Sequence, residues 1–202
     1  GYMATPEQAR SVASMVSRIR ERNANVLHIC DPVIGDAGGL YVPEDTAAAI
    51  RDALVPMCDV ATPNRFELAW LLNETASETI SDAVEQAGKL GPAQVLVTSV
   101  TDREDGLTGN LLTGNGSVHV TRHPSIPNPP NGPGDLTAAT FLAHMLDGIS
   151  AQENLALTTA SVFEILQSSA RRNSDELTLE RDVASLLKAE AEVECYSPGG
   201  NP

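Results

Sequence analysis

Gly132-Pro133-Gly134-Asp135, followed by the apolar run 136–146, is the most informative stretch of the sequence. The glycines and the proline predict a turn, and the apolar run predicts a helix that begins there. The first N–H groups of a helix lack internal partners and carry partial positive charge, so an anion fits at this end. Gly132 and Gly134 permit close approach, and Asp135 can accept a proton from a hydroxyl. Phosphoryl transfer to an alcohol needs this combination, although the same residues also suit an ordinary helix start after a proline-rich loop.

Length and composition favour one globular domain over residues 1–202. Of the 202 residues 42% are hydrophobic, enough for one sizeable core. The net charge of −14, without any Lys/Arg run, argues against nucleic acid or membrane as a partner. Cys30, Cys58 and Cys195 lack paired-ligand spacing and indicate reduced thiols rather than a zinc site. Without a membrane-spanning run or a secretion signal, we expect a cytoplasmic protein, with a disordered tail at 197–202.

Strand and helix patterns alternate along the first half of the chain. Apolar runs predict strands at 26–30, 59–62 and 95–99. Helical spacing and capping residues predict helices from Thr5, over 44–54, over 64–72 and over 81–90. This order predicts an α/β fold with a parallel sheet covered by helices on both faces.

The second half of the chain adds a hairpin and further helices. Residues 110–113 and 117–121 flank Gly114-Asn115-Gly116, which predicts an antiparallel hairpin at the edge of the sheet. Five prolines at 122–133 predict an irregular loop. We expect helices over 135–146 and from Ser150, and an amphipathic helix over 176–194.

Polar residues cluster where the predicted strands end. They are Asp31 and Asp36 after the first strand, Thr62, Asn64 and Glu67 after the second, and Thr98 and Ser99 at the end of the third. Singly, each suits a turn, a helix cap or a strand end. Because ligands bind at the carboxyl ends of parallel strands, the set together with the glycine turn indicates a ligand site.

Four motifs, in this order, resemble those of the pyridoxal kinases of the ribokinase-like superfamily. They are residues 30–36 with Tyr41-Val42, then 62–67, 95–99 and 132–136. The resemblance covers about residues 1–148. It implies a ribokinase-like three-layer α/β/α fold with a mainly parallel sheet and an antiparallel edge hairpin. It also implies ATP-dependent phosphorylation of the 5′-hydroxymethyl group of pyridoxal, pyridoxine or pyridoxamine, with Mg²⁺ and K⁺ or another monovalent cation, by a homodimer.

The resemblance assigns the chemical step and the metal neighbourhood to particular residues. Asp135 would be the catalytic base, and the backbone of Gly132, Pro133 and Gly134 would form the anion hole. Asn64 and Glu67 would orient Mg²⁺ and its waters. The monovalent cation and phosphate neighbourhood would comprise Asp31, Thr62 and Thr98.

The resemblance also assigns the contacts with the two small molecules. Asp36 and Tyr41 would cover the ATP phosphates, which Thr98 and Ser99 would touch. His123 and Ile126 would border the adenine. Tyr2, in a Gly-Tyr pair, would pack against the pyridine ring of the vitamin.

Two departures from the family pattern alter these expectations. The family has further strand–helix units before its Gly-Tyr pair, whereas this sequence begins at Gly1-Tyr2. If the sequence is the whole polypeptide, we expect an exposed sheet edge, an incomplete vitamin pocket and little turnover. Pro133 stands where the family often has threonine or valine and removes one N–H from the anion hole.

Three alternative functions remain open on the sequence. The hydroxymethylpyrimidine kinases of the same superfamily commonly have a cysteine where Asp135 stands, which argues against that branch. A sugar kinase fits residues 31–36 and Tyr41 less well. From a different class, the chain could be a non-catalytic module that binds nucleotide, or a partner subunit.

Overall fold

Eight strands are present in the computed structural model, which describes residues 1–102 and 106–198. They are β1 Ile29–Cys30, β2 Gly35–Asp36, β3 Gly39–Leu40, β4 Val60–Ala61, β5 Gln94–Val100, β6 Leu107–Gly114, β7 Ser117–Pro124 and β8 Glu194–Tyr196. Six of them form one sheet in the order β1-β4-β5-β6-β7-β8, and β2 and β3 form a separate antiparallel pair. Pairing is parallel from β1 to β5 and antiparallel from β5 to β8.

The helices begin at residues suited to helix starts. They are α1 Pro6–Arg22, α2 Glu44–Ala53, α3 Arg65–Leu72, α4 Ile80–Lys89, α5 Pro133–Leu146, α6 Ala151–Arg171 and α7 Val183–Leu187. Side chains of Thr5, Asn64, Thr79 and Ser150 accept a backbone N–H in the first turn of α1, α3, α4 and α6. Such caps each stabilise a helix by about 1 kcal/mol.

Helices cover both faces of the sheet. Because side chains alternate along a strand, Val95 and Val97 face one side and Leu96 the other. Val95 and Val97 pack with α3 and α4, while Leu96 packs with Phe141 of α5 and Leu155 of α6. The three-layer α/β/α prediction is therefore confirmed.

Several predicted elements are confirmed with small shifts at their ends. The helices α2, α3 and α4 begin and end within one residue of the predicted bounds. The hairpin turn at Asn115-Gly116 is also present, and its strands β6 and β7 are longer than predicted. The strand predicted at 26–30 is only Ile29–Cys30, because the His28 N–H donates to the Asp59 carboxylate, at 2.7 Å, instead of to a strand.

The end of the chain differs from the prediction. No helix covers 176–194 in the described residues; a 3-10 turn at Leu179–Arg181 and the short α7 are followed by β8, which pairs with β7. The hairpin is thus not the sheet edge, because β8 lies outside it. The predicted disordered tail at 197–202 lies, from 199 on, outside the described residues.

An ion pair explains why the predicted C-terminal helix is interrupted. The Arg172 guanidinium donates to both Asp182 carboxylate oxygens, at 2.6 and 2.9 Å. Asp182 is buried and also accepts from the hydroxyls of Ser168 and Thr178. The hydrogen bonds from Arg172 hold the pKa of Asp182 at about 2. Asp182 is therefore bound to the end of α6 and its neighbours, which bends the chain away from a continuous helix.

The Asp182→Asn variant tests this interaction. We expect the free energy of unfolding to fall by about 1.5–3 kcal/mol, because hydrogen bonds to an ionised group are lost from a buried site. Since the pKa of Asp182 is lowered, the wild type should lose the same contribution only as the pH falls from about 4 through about 2. Urea unfolding at pH 7 measures the difference. Glu180→Gln, on the exposed neighbouring pair with Arg181, is the control and should change stability by less than about 0.5 kcal/mol. Equal effects of the two variants would contradict the explanation.

Candidate active site

The carboxyl ends of β1, β4 and β5 meet the first turn of α5 at a cleft of about 700 Å³. This edge of the sheet is where the topology predicts a ligand. Its lining includes Asp31, Asp36, Tyr41, Thr62, Asn64, Glu67, Thr98, Ser99, Gly132, Pro133, Gly134 and Asp135. The fold therefore brings together predicted residues that lie up to about a hundred positions apart in the sequence.

Two carboxyl groups are neighbours at the centre of the cleft. Asp31 follows β1, and its carboxylate accepts the Thr62 hydroxyl at 2.9 Å. Burial raises the pKa of Asp31, and the nearby Asp135 carboxyl adds to the rise, whereas the Gly1 ammonium and Thr62 oppose it. The strand ends thus place Asp31 beside the carboxylate that the α5 turn supplies.

Glu67 is the most deeply buried ionisable group among the predicted site residues, with 4% of its surface exposed. Its Oε1 accepts the N–H groups of Ile34 and Gly35 at 3.0 and 3.4 Å, and its Oε2 accepts the Asn64 N–H at 2.8 Å. Asn64 in turn caps α3 by accepting the Glu67 N–H at 2.9 Å. Burial raises the pKa of Glu67 to about 7, against the lowering effect of these bonds.

These contacts define how a metal could be held. The predicted ligands Asp31, Thr62, Asn64, Glu67 and Thr98 offer oxygen donors, the type that Mg²⁺ and K⁺ take. Each Glu67 oxygen and the Asn64 carbonyl oxygen already accept a backbone N–H. The residues therefore fit a Mg²⁺ held through water molecules better than one bound directly. Within the described part of the chain, no three His, Cys, Asp or Glu side chains form a metal-binding group.

The strand β5 is irregular where it meets the cleft. Its register with β6 shifts between Thr98 and Val100, and Ser99 has a φ of 58°. A serine in the left-handed region costs about 1 kcal/mol or more, and such strain is concentrated at functional sites. The sequence predicted the strand to end at Ser99, whereas it continues to Val100 through this bulge.

The turn before α5 leaves backbone donors unused. Gly132 has a φ of 101° and provides no side-chain cap, and the first helical bond is donated by Leu136 to the Gly132 carbonyl. Pro133 has no N–H. The N–H groups of Gly134 and Asp135 therefore have no backbone or side-chain acceptor among the described residues. They are the donors that this end of α5 can offer an anion.

A second cavity of about 330 Å³ adjoins the cleft and shares Thr98, Ser99, Pro133 and Gly134 with it. His123 and Ile126 line this second cavity rather than the cleft. The His123 ring stacks on Phe163 of α6, with centroids 4.2 Å apart. Burial lowers the pKa of His123, which favours a neutral ring.

Asp135 also borders a third cavity, of about 550 Å³. Its walls include Leu136 and Ala139 of α5 and Leu177 and Leu179 beyond α6. Gly132 and Asp135 line both this cavity and the cleft. Asp135 therefore borders both the cleft and the third cavity, which is the more apolar of the two.

Tyr2 is the predicted site residue that lines none of these cavities. It is 63% exposed. Tyr41 is also largely exposed. The burial of the rest of its side chain, together with the nearby Asp36 carboxylate, raises the pKa of Tyr41 to about 12.

Sequence analysis missed several residues that line the second cavity or contact its lining. Asn110 donates to the Thr159 hydroxyl at 2.9 Å, and Thr121 lies 2.8 Å from the same hydroxyl. Phe163 and Thr159 belong to α6, for which no motif pointed to a ligand. Arg65 also lines this cavity, and its one available signal was its place inside the motif 62–67.

The Glu67→Gln variant tests the buried carboxyl. Since the pKa of Glu67 is about 7 in the folded protein and about 4.5 when exposed, the folded state binds a proton that the unfolded chain releases. The stabilising effect of the protonated Glu67 is complete below about pH 4.5 and is lost as the pH rises through about 7. We expect the stability of wild type relative to Glu67→Gln to fall over this range, by at most about 1.4 kcal/mol per pH unit. Urea unfolding from pH 4.5 to 8 without divalent cation measures it. Exposed Glu21→Gln is the control, and parallel profiles for wild type and Glu67→Gln would contradict the assigned pKa.

Alanine substitutions separate the roles of the two glycines before Asp135. Gly132→Ala should cost about 1–2 kcal/mol, because alanine is strained at a φ of 101°. Gly134→Ala should leave stability unchanged or raise it by up to about 1 kcal/mol, because its Cβ meets no atom within 4 Å. Thermal and urea unfolding compare the two. A destabilised Gly134→Ala would show that this glycine serves the fold and not access to the cleft.

Comparisons with known proteins identify relatives of this chain. A sequence model of the family described as phosphomethylpyrimidine kinase matches residues 1–179. Pyridoxal kinase PdxY of Rubrobacter xylanophilus is 37% identical over 194 residues, covering 93% of this chain and 67% of that protein. PdxY of Leifsonia xyli is 34% identical over 184 residues, covering 89% and 65%. The structure of pyridoxal kinase from Leishmania donovani in complex with ADP and pyridoxamine matches with a TM-score of 0.87 at 25% identity, covering 98% and 72%.

The chain spans about two thirds of the length of the curated relatives it matches. No described helix is long and apolar enough to cross a membrane. The matched region includes all four motifs and the whole cleft. On this basis the chain belongs to the phosphomethylpyrimidine kinase family, where it is similar to the pyridoxal kinases.

Proposed function

We propose that this chain forms the nucleotide-binding and catalytic part of a kinase that phosphorylates the 5′-hydroxymethyl group of pyridoxal, pyridoxine or pyridoxamine with ATP. The observation on which this rests most is the first turn of α5. There, the Asp135 carboxylate and two backbone N–H groups without an acceptor among the described residues lie at the cleft. A second cavity, suited to a nucleotide, adjoins the cleft.

The chemical step follows from the positions of these groups. Asp135 accepts the proton of the substrate hydroxyl, and the hydroxyl oxygen forms a bond to the γ-phosphorus of ATP. At the same time, the bond between the γ-phosphorus and the bridging oxygen of the β-phosphate breaks. The N–H groups of Gly134 and Asp135 donate to the transferring phosphoryl oxygens, which gain charge as the bond breaks. ADP and the phosphorylated vitamin are the products.

Metal ions would act beside these groups. Bound Mg²⁺ would neutralise charge on the β- and γ-phosphates. Asn64 and Glu67 would orient its waters, and Asp31, Thr62 and Thr98 would contact the monovalent cation and the phosphates. Asp36 in β2 and Tyr41 directly after β3, which both line the cleft, would cover the phosphates.

The two small-molecule partners follow from the cavities and from the relatives. The His123–Phe163 stack and Ile126 offer an apolar wall for adenine. The third cavity, which leucines line beside Asp135, suits a phosphoryl acceptor with an aromatic ring. Complexes of the Leishmania donovani enzyme with ADP and pyridoxamine support the same pair of ligands. The vitamin contact of Tyr2, the homodimer and a cytoplasmic location rest on the family resemblance alone.

One alternative is a phosphomethylpyrimidine kinase, and the other is a nucleotide-binding module without catalytic activity. The family description names phosphomethylpyrimidine kinase, but Asp135 occupies the position where that branch commonly has cysteine. A non-catalytic nucleotide-binding module would have the same cavities and no turnover.

The decisive variant is Asp135→Asn. We expect pyridoxal 5′-phosphate formation from pyridoxal and ATP, with Mg²⁺ and K⁺, to fall by about 10²- to 10⁴-fold, because the base is lost. The affinity for ADP should change less than twofold. Absorbance of the product and calorimetric titration of ADP measure the two effects.

The Asp147→Asn variant is the matched control, because Asp147 lies at the opposite end of the same helix. It should retain the wild-type rate. Full activity of the Asp135→Asn variant would show that Asp135 is not the base. ADP binding by a wild-type chain that forms no product would favour the binding module.

A further inference from the structure

Arg65 is a basic side chain on the wall of the second cavity. It is the first residue of α3, directly after the capping residue Asn64. It lines the cavity together with Thr98, Ser99 and Gly134. Among the described residues that line this cavity or the cleft, no other is Lys or Arg.

Two hydrogen bonds fix the position of the Arg65 guanidinium. Its Nη1 donates to the Ser77 carbonyl at 2.8 Å and to the Thr101 hydroxyl at 2.9 Å. Ser77 lies between α3 and α4, and Thr101 directly follows β5. Both acceptors are neutral, so these bonds orient the group without neutralising its charge. Nη2 and Nε have no acceptor among the described residues.

Arg65 has no acidic partner among the described residues. None of the ion pairs between described residues includes it, although the chain has 27 acidic residues against 13 basic ones. The charge of this half-buried guanidinium is therefore available to an anion, and partial burial strengthens such an attraction. The planar guanidinium is well suited to phosphate oxygens, which it can bind through two N–H groups.

We propose that Arg65 binds the phosphate chain of the nucleotide and so favours nucleoside di- and triphosphates over nucleosides in the second cavity. This inference depends on the proposed function only for the identity of that cavity as the nucleotide site. Arg65 acts in binding and takes no part in the proton transfer by Asp135.

The test compares three ligands that differ in phosphate content. ADP with Mg²⁺, AMP and adenosine are titrated calorimetrically into wild type, Arg65→Gln and Arg65→Lys. Arg65→Gln should weaken ADP binding by about 10- to 100-fold and leave adenosine binding within twofold. Arg65→Lys should fall between, because it keeps the charge and loses the planar fork. Exposed Arg10→Gln on α1 is the control for the change of net charge and should bind ADP as the wild type does.

The outcomes separate this proposal from the proposed function. Wild-type ADP affinity in Arg65→Gln, or an equal loss for ADP and adenosine, overturns the role of Arg65 while leaving the nucleotide site in place. A wild-type chain that binds none of the three ligands overturns both. Melting temperatures identify a variant that fails to fold, in which case the comparison of Arg65→Lys with wild type decides.

Discussion

The Glu67 carboxylate joins the start of α3 to residues 34–35 at the end of the sheet. It accepts N–H groups from the β1–β2 connection at Ile34 and Gly35, and from Asn64 at the start of α3. Asn64 returns a hydrogen bond to the Gly35 carbonyl at 2.8 Å. This closed set of bonds positions the Asp31 end of the cleft relative to the first turn of α3. The positions of Asp31, Asn64 and Arg65 all depend on it.

The part of the fold that could be predicted depends on local rules. The Asn64–Glu67 capping box and the Gly-Asn-Gly hairpin each depend on residues within a few positions of one another. The cleft itself was predictable because parallel strands end at one edge of a sheet, so polar residues after separate strands must converge. Asp31, Thr62 and Thr98 do so.

The features that could not be predicted depend on long-range contacts. The apolar spacing after residue 176 fits a helix, but Arg172 binds Asp182 and β8 pairs with β7, far away in the sequence. The left-handed backbone conformation of Ser99 arises from the bulge opposite β6. No residue type in 95–99 indicates that a bulge forms there. Arg65 was overlooked because its motif neighbours matched family roles, and only the structure shows that it lines the second cavity without an acidic partner among the described residues.

To bind a nucleotide as proposed, this acidic protein must supply positive potential locally, and it has two different sources of it. A side chain that capped α5 would accept the same N–H groups that are proposed to bind the phosphoryl group, and Gly132 avoids this at a cost of roughly a few tenths of a kcal/mol of helix stability. Pro133 then removes one donor, so backbone amides alone offer little charge. Arg65 supplies a full positive charge on a wall of the adjoining cavity. The amides suit the oxygens whose charge grows during transfer, whereas the guanidinium suits those whose charge is permanent. In the proposed function, catalysis and nucleotide affinity therefore depend on separate groups that lie at adjoining cavities.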